Sequence, residues 1–283
     1  MWKRVTILGT GLIGGSFALA ARGHLPGAKF TGWDRAEVLS QAVARGAVDE
    51  AQEDLGAALR DAELVYLALP VVRTLDLLPE IARLAAPNAL VTDACSTKAA
   101  VCRAAEQHFR GGARFLGGHP MAGREQGGIA NADGQLFRGA KYALASAAND
   151  ADARVQQFAA LVTAMGAEPV WLDAETHDWA VAIISQLPQL AALALARVLN
   201  DETDETGLPV VLAGPGARDA LRLAGSPYDI WRDITLTNRE NLSRALDRLA
   251  QAVDHLRRNL ASRELKDEFE TANHVYQILR EVK

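Results

Sequence analysis

The side chain best suited to proton transfer in this sequence is a histidine in a glycine-rich stretch. The stretch reads Gly117-Gly118-His119-Pro120-Met121-Ala122-Gly123 and follows a predicted strand over 114–116. A residue before proline is pushed toward extended geometry, so we place His119 on a turn of small residues rather than in a helix. An imidazole near its ordinary pKa gives or takes a proton at neutral pH. The alternative is a histidine whose hydrogen bonds are purely structural.

A hydroxyl group occupies a comparable position after another predicted strand. Ser96 lies within Asp93-Ala94-Cys95-Ser96-Thr97-Lys98, where the chain leaves a strand and opens a helix. Ser96 could cap that helix or present its hydroxyl to a ligand. The strand-end position favours the second interpretation. Cys95 is not expected to be a nucleophile, because no histidine neighbours it in sequence and a helix start is the simpler context.

Two arginines could bind an anion. Arg218 and Arg222 follow a glycine turn and are four residues apart, which places them on one helix face. Two guanidinium groups on one face suit a dianionic substrate. The alternative is a solvated face on which Asp219 pairs locally.

The first 14 residues match the fingerprint of a dinucleotide-binding turn. An apolar strand over 4–8 leads into Gly9-Thr10-Gly11-Leu12-Ile13-Gly14 and then into helix-forming residues. In such turns the helix amides face a pyrophosphate. Asp34 ends the next predicted strand, where a carboxylate can bind the adenosine ribose and repel a 2′-phosphate. We therefore predict NAD as the cofactor, with NADP less favoured, although Arg35 beside Asp34 weakens this preference.

Strands and helices alternate as far as Asp173, which predicts a doubly wound parallel sheet covered on both faces. Ligands of such sheets lie beyond the carboxyl ends of the strands. We expect His119 at that edge, with Leu69 and Pro70 on the cofactor side. The strand-end residues expected to line the crevice are Gly9, Asp34, Leu69, Asp93 and Gly117.

The second half is predicted to be all α-helical, with a domain boundary that gives a nucleotide-binding domain over 1–173 and a helical domain over 174–283. A helix over 179–200 is expected to be interrupted at Pro188, and another is expected over 230–259. Helices with this much apolar surface often pack against a second copy, so we predict a homodimer.

Composition excludes several other classes of protein. The chain has 283 residues, 49% hydrophobic and 23% charged, with a net charge of −5. No basic run predicts nucleic-acid binding, and two cysteines form neither a disulfide framework nor a metal site. No signal peptide and no apolar run long enough to span a bilayer is recognised. The expected location is cytoplasmic, with no membrane partner.

Together these motifs resemble the TyrA family of prephenate, arogenate and cyclohexadienyl dehydrogenases. The resemblance covers nearly the whole chain and implies an N-terminal Rossmann-type domain followed by an all-α dimerisation domain. The matching segments are residues 9–16, 93–98, 118–123, 177–178, 185–189, 218–222 and 231–234.

The resemblance implies a prephenate dehydrogenase activity of tyrosine biosynthesis. In that reaction NAD accepts a hydride from the ring carbon bearing a hydroxyl, and the ring carboxylate leaves as CO2, giving 4-hydroxyphenylpyruvate. The resemblance makes His119 the group that binds the ring hydroxyl and accepts its proton, with a pKa near 7 and Ser96 in support. It makes Arg222 the ligand of a substrate carboxylate with Arg218 nearby, and Glu125 a residue that closes the site.

Three positions bear on the substrate. Family members commonly have His where Gln186 and Gln189 stand, and a Gln can bond a carboxylate but cannot add charge. Asn238 matches a position where an acidic residue selects the ammonium of arogenate. Because Asn238 is neutral, prephenate is expected to be preferred, with an arogenate or broad-specificity cyclohexadienyl dehydrogenase as the alternative.

Two other functions fit the sequence less well. A dehydrogenase acting on a β-hydroxy acid or an imine usually needs a Lys in the first helix of the second half, and residues 181–197 contain none. A non-catalytic NAD-sensing module would tolerate loss of His119, Ser96 or Arg222, yet all three are present.

Overall fold

A single eight-stranded sheet forms the centre of the first part of the chain. The computed structural model describes residues 2–124 and 126–281. The spatial order of the strands is β3-β2-β1-β4-β5-β6-β7-β8. The strands are β1 (Arg4–Leu8), β2 (Lys29–Trp33), β3 (Glu50–Gln52), β4 (Leu64–Leu67), β5 (Leu90–Asp93), β6 (Arg114–Pro120), β7 (Lys141–Ala145) and β8 (Glu168–Leu172).

The predicted doubly wound sheet is confirmed, with one exception to its parallel pairing. All neighbouring strands run parallel except β6 and β7, which pair antiparallel. The antiparallel ladder extends β6 past the predicted end at Leu116. His119 consequently lies inside a strand, where it pairs with Ala143. The prediction that His119 lies on a turn was therefore wrong. The proline is tolerated because β5 pairs only with Arg114–Leu116, so Pro120 has a neighbouring strand on one side alone, as in an edge strand.

Thirteen α-helices are assigned within the described residues. They are α1 (Leu12–Arg22), α2 (Ala36–Ala44), α3 (Leu55–Leu59), α4 (Val71–Leu84), α5 (Ala99–His108), α6 (Ala153–Ala164), α7 (Ala174–Val181), α8 (Leu187–Glu202), α9 (Leu208–Val211), α10 (Pro215–Leu221), α11 (Tyr228–Thr237), α12 (Arg239–Arg258) and α13 (Glu264–Glu281). The short elements β3, α3 and α9 were not predicted, because three to five residues carry too little periodicity to be recognised.

Helices cover both faces of the sheet because consecutive strand residues point to opposite sides. On β1, Ile7 belongs to a buried cluster with Phe17 of α1 and Phe158 of α6. The next residue, Leu8, belongs to a second cluster that includes Leu78 of α4 and Val101 of α5. This arrangement leaves the carboxyl ends of the parallel strands as the accessible edge of the sheet.

The compact units of the structure are not contiguous in sequence. One unit runs to Val181 and takes in Gly225–Asn238, and the other comprises Ala182–Ala224 and the chain from Arg239 onward. Helix α11 therefore belongs with the sheet, although the sequence prediction placed everything after Asp173 in a second domain. The helix expected over 230–259 is also divided, because α11 ends at Thr237 and the following residue, Asn238, has non-helical φ and ψ of −122° and 27°.

The helical run Ala174–Glu202 is longer and more apolar than expected. By length and composition alone it could cross a bilayer, so the prediction that no apolar run is long enough was wrong. The α-helix is interrupted close to Pro188, as expected, because α7 ends at Val181 and α8 begins only at Leu187. A π-helical segment, Ala182–Gln186, precedes α8, and Pro188 lies in the first turn of α8, where its missing N–H is tolerated. Core helices of proteins that cross no membrane can have the same length and apolar composition.

Candidate active site

The glycine turn between β1 and α1 has the geometry of a dinucleotide-binding loop. Gly9 has a φ of +90°, which favours glycine. A Cβ at Gly14 would lie 1.9 Å from the carbonyl oxygen of Gly9, so only glycine allows α1 to approach the strand. A Cβ at Gly11 would meet nothing within 4 Å. The loop is therefore tight where it packs on the sheet and open above the first turn of α1, where Leu12 and Ile13 follow.

Asp34 binds this loop directly. Its Oδ2 accepts hydrogen bonds from the backbone N–H of Thr10 at 2.7 Å and from the Thr10 hydroxyl at 3.3 Å. Its Oδ1 accepts the backbone N–H of Arg35 at 2.8 Å, and Arg35 itself is exposed. The carboxylate at the end of β2 is thereby held beside the glycine turn, where sequence analysis placed it.

A cavity of about 270 Å³ lies at the carboxyl ends of β4 and β5. Leu69, Pro70 and Ser96 line it, as predicted for the cofactor side of the crevice and for the presented hydroxyl. Helix α11 contributes a further wall through Asp229, Ile230, Asp233 and Ile234. Asp233 also accepts the backbone N–H of Val72 at 3.1 Å, which attaches α11 to the first turn of α4.

His119 is joined to a second histidine and a carboxylate. Its Nδ1 lies 2.9 Å from Nε2 of His177, whose Nδ1 lies 2.8 Å from Oδ1 of Asp178. His119 is partly buried, whereas His177 and Asp178 are each 1% exposed. Burial lowers the pKa of His119 well below its usual range, and the His177 ring and the Lys98 ammonium lower it further. The expectation of a pKa near 7 was therefore wrong.

A fully buried ion pair supports the strand that carries His119. The ammonium of Lys98 donates to Oδ2 of Asp93, and both side chains have no exposed surface. Oδ1 of Asp93 accepts the backbone N–H of Gly118 at 3.0 Å. A Cβ at Gly118 would lie 2.6 Å from the Asp93 carbonyl oxygen. The glycine before His119 therefore accommodates the neighbouring strand end rather than a ligand.

The start of α5 is capped by Asp178 rather than by Ser96. The backbone N–H groups of Lys98 and Ala99 donate to the Asp178 carboxylate at 2.6 and 2.9 Å. Ser96 is thus left on the cavity wall, consistent with the presented hydroxyl. Cys95 is buried, and burial raises the pKa of its thiol, which keeps it protonated and supports the view that it is no nucleophile.

The predicted substrate residues are distributed over both compact units. In the second unit, Arg218 and Arg222 are exposed on and just after α10, and Gln186 and Gln189 are buried around the start of α8. In the first unit, the buried amide of Asn238 donates to the backbone carbonyl of Asp178 at 2.8 Å. Glu125, predicted to close the site, lies outside the described residues.

The residues that sequence analysis missed are those around His119. His177, Asp178, Asp93 and Lys98 were all visible in the matched motifs. Their roles were not assigned, because hydrogen bonds between residues 58 to 80 positions apart have no periodic signal in a sequence.

The Rossmann-type sheet, the glycine loop and a histidine near the end of β6 are typical of a nucleotide-dependent dehydrogenase with a second, helical part. Residues 17–170 match the family model for the prephenate dehydrogenase nucleotide-binding domain, and residues 173–273 match the model for the prephenate dehydrogenase dimerization domain. The chain belongs to the prephenate dehydrogenase family.

Individual relatives agree with this assignment. The chain is 34% identical to a prephenate dehydrogenase of Lactococcus lactis subsp. cremoris, over 89% of this chain and 74% of that one. It is similar to the structure of prephenate dehydrogenase from A. aeolicus in complex with hydroxyphenyl propionate and NAD+, with a TM-score of 0.88, 28% identity and coverage of 99% and 98%. It is also similar to Synechocystis arogenate dehydrogenase, with a TM-score of 0.83, 30% identity and coverage of 98% and 99%.

Proposed function

We propose that this protein is an NAD-dependent prephenate dehydrogenase, which oxidatively decarboxylates prephenate to 4-hydroxyphenylpyruvate and CO2. The single observation that carries the proposal is the neutral His119 imidazole held at the carboxyl edge of a dinucleotide-binding sheet. Family membership and similarity to structures of prephenate and arogenate dehydrogenases support the choice of substrate.

The residues around the glycine loop fit NAD. The open space above Gly11 can admit a pyrophosphate next to the first turn of α1, and Asp34 can accept a hydrogen bond from a ribose hydroxyl. Leu69 and Pro70 would flank the nicotinamide end. When bound, NAD supplies the hydride acceptor.

The chain's own residues would position the substrate and move one proton. Nε2 of His119 would accept the proton of the ring hydroxyl, with the Ser96 hydroxyl close to the same oxygen. Arg222, with Arg218 nearby, would hold a substrate carboxylate, and Gln189 could add a neutral hydrogen bond. Because aromatisation drives the reaction, the main task of the protein is orientation.

Initial rates of NADH formation with prephenate and with arogenate, each with NAD and NADP, test this proposal. We expect the highest kcat/KM for prephenate with NAD. Turnover of neither substrate would contradict the proposal. An arogenate preference would favour the alternative, an arogenate or broad-specificity cyclohexadienyl dehydrogenase.

We infer that the protein acts as a homodimer, and we retain the prediction of a cytoplasmic location. In the second unit, Ile184, Val211, Leu212 and Phe269 are each 65% to 75% exposed in the isolated chain. A second copy would cover such apolar surface, and the matched dimerization domain supports this. Light scattering should give twice the mass of one chain, and a stable, active monomer at micromolar concentration would contradict the inference.

A further inference from the structure

The hydrogen bonds of Asp178 determine where the proton of His177 resides. The Asp178 carboxylate is contacted by three groups: the backbone N–H of Lys98, the backbone N–H of Ala99 and Nδ1 of His177. An ionised carboxylate only accepts hydrogen bonds. Nδ1 of His177 must therefore carry a hydrogen and donate it to Oδ1 of Asp178.

The same reasoning extends to His119. A neutral imidazole has one donor and one acceptor nitrogen, so Nε2 of neutral His177 is an acceptor. Because Nε2 of His177 lies 2.9 Å from Nδ1 of His119, His119 must donate from Nδ1. Nε2 of His119 then holds a lone pair, and no hydrogen bond joins that nitrogen to any group in residues 2–124 and 126–281.

We propose that His177 and Asp178 are positioning residues, which hold neutral His119 in the form protonated at Nδ1 and share its positive charge during the reaction. This inference rests on the function proposed above. In the step, the substrate O–H bond breaks and an N–H bond forms at Nε2 of His119. The hydride passes from the carbon that bears the hydroxyl to bound NAD, and the bond from the ring to the carboxylate breaks, leaving its electron pair in the ring as CO2 departs. The proton then returns from Nε2 of His119 to the phenolate oxygen of the product, so no net proton is released.

The surroundings of His119 make such support necessary. Burial disfavours the imidazolium form of His119, and the nearby Lys98 ammonium opposes it further. The Asp178 carboxylate contacts the His177 ring, which in turn contacts His119, so a negative charge lies at the far end of the histidine pair. Protonation of His177 would reverse the chain of donors and place the hydrogen on Nε2 of His119, where it blocks proton acceptance.

The first test is the tautomer of each ring, read from long-range 15N–1H correlation spectra of the substrate-free protein. The chain has six histidines, and spectra of His119→Gln and His177→Gln assign the two signals. We expect both rings to be protonated at Nδ1. In Asp178→Asn the amide can donate to Nδ1 of His177 only if its NH2 replaces Oδ1 and faces the Lys98 N–H, so the rings should no longer be fixed as Nδ1–H and a fraction protonated at Nε2 should be observed. A wild-type His119 protonated at Nε2 would overturn the proposal.

The second test is kinetic. Asp178→Asn should lower kcat by about 10²–10⁴-fold with little change in KM, as expected when a catalytic base is held in the wrong tautomer. Glu175→Gln is the matched control, because Glu175 lies on the same helix and its side chain forms an ion pair with exposed Arg103. It should leave kcat unchanged. An Asp178→Asn enzyme with wild-type kcat would overturn the proposal.

A second pair of variants keeps the Asp178 helix cap intact. His177→Leu removes the acceptor for His119, whereas His177→Gln places an amide oxygen near the position of Nε2. We expect kcat to be lower in His177→Leu than in the wild type. The kcat of His177→Gln should be at least tenfold higher than that of His177→Leu. Equal kcat in the two folded variants would overturn the positioning role. Because the spectra need no substrate, failure of the proposed activity and failure of this arrangement are separate observations.

Discussion

Nδ1 of His119 lies 2.9 Å from Nε2 of His177. The two rings belong to β6 and α7, which are separated in sequence by β7, α6 and β8. The ring planes meet at 69°, an edge-to-face arrangement that directs a nitrogen of each ring at the other. The proton chemistry of the site therefore depends on a helix start that follows the last strand as much as on the glycine-rich strand itself.

Replacing His119 tests its role as the base. His119→Asn keeps a hydrogen-bonding group but removes the titratable one, so kcat should fall by about 10²–10⁴-fold with a modest change in KM. Because the pKa of His119 is lowered, the wild-type acidic limb should lie below the ordinary histidine range, with activity lost as the pH falls. That limb should vanish in the variant. Exposed His108→Asn is the control, and an unchanged pH profile in His119→Asn would identify another base.

Replacing Asp34 tests the cofactor preference. Asp34→Ser removes the carboxylate that a 2′-phosphate would meet, so the NADP-to-NAD ratio of kcat/KM should rise by about tenfold, equivalent to about 1.4 kcal/mol. The KM for NAD should also rise, because the variant loses the bond to the Thr10 amide. Arg35→Ala should change the ratio in the opposite direction. A wild-type enzyme that already prefers NADP would refute the role of Asp34.

Asn238 tests the choice between the two substrates. Asn238→Asp should shift the ratio of kcat/KM toward arogenate, whose ammonium needs a carboxylate partner. It should also lower stability by about 1–3 kcal/mol, because the variant loses the donor to the Asp178 carbonyl. Arg222→Ala should instead weaken both substrates by about 2–5 kcal/mol, since both carry the carboxylate it would hold. Higher wild-type kcat/KM for arogenate would refute the Asn238 hypothesis.

The buried pair Lys98–Asp93 is expected to dominate the stability of the strand edge. Lys98→Met would leave the Asp93 carboxylate buried without its cation, at a cost of about 3–5 kcal/mol in urea denaturation. Lys141→Met, which removes an exposed pair with Glu168, should cost about 0–1 kcal/mol. Adding Asp93→Asn to Lys98→Met should recover part of the loss. Equal costs for the two lysine variants would contradict this account.

Local patterns were enough to predict the fold class and the nucleotide loop. The strand, glycine turn and helix of residues 4–22 are encoded by neighbouring residues, and Asp34 by its spacing from Gly14. The strand that holds His119 was not predicted to its full length, because its extension depends on pairing with β7. The predicted pKa of His119 was wrong for a related reason. The burial of its ring and the proximity of His177, which lower the pKa, exist only in the folded chain.

Helix α11 shows the same limit at the level of domains. Its sequence predicts a helix but not the sheet edge on which it packs, since Asp233 caps α4 through the Val72 amide 161 positions away. The carboxylate of Asp178 likewise caps α5 from 80 positions away. A cap supplied from a distant part of the chain leaves no signal in the local sequence, so the sequence alone offers Ser96 as an alternative cap for α5.

The most direct test of the proposed function is the stoichiometry of the reaction. Prephenate labelled with 13C in the ring carboxylate would be incubated with NAD and enzyme, and NADH and 13CO2 would be measured in the same sample. We predict one NADH for each 13CO2, with both products abolished together in His119→Asn. Release of 13CO2 without NADH, or NADH formation with the label retained in the organic product, would contradict oxidative decarboxylation by this site.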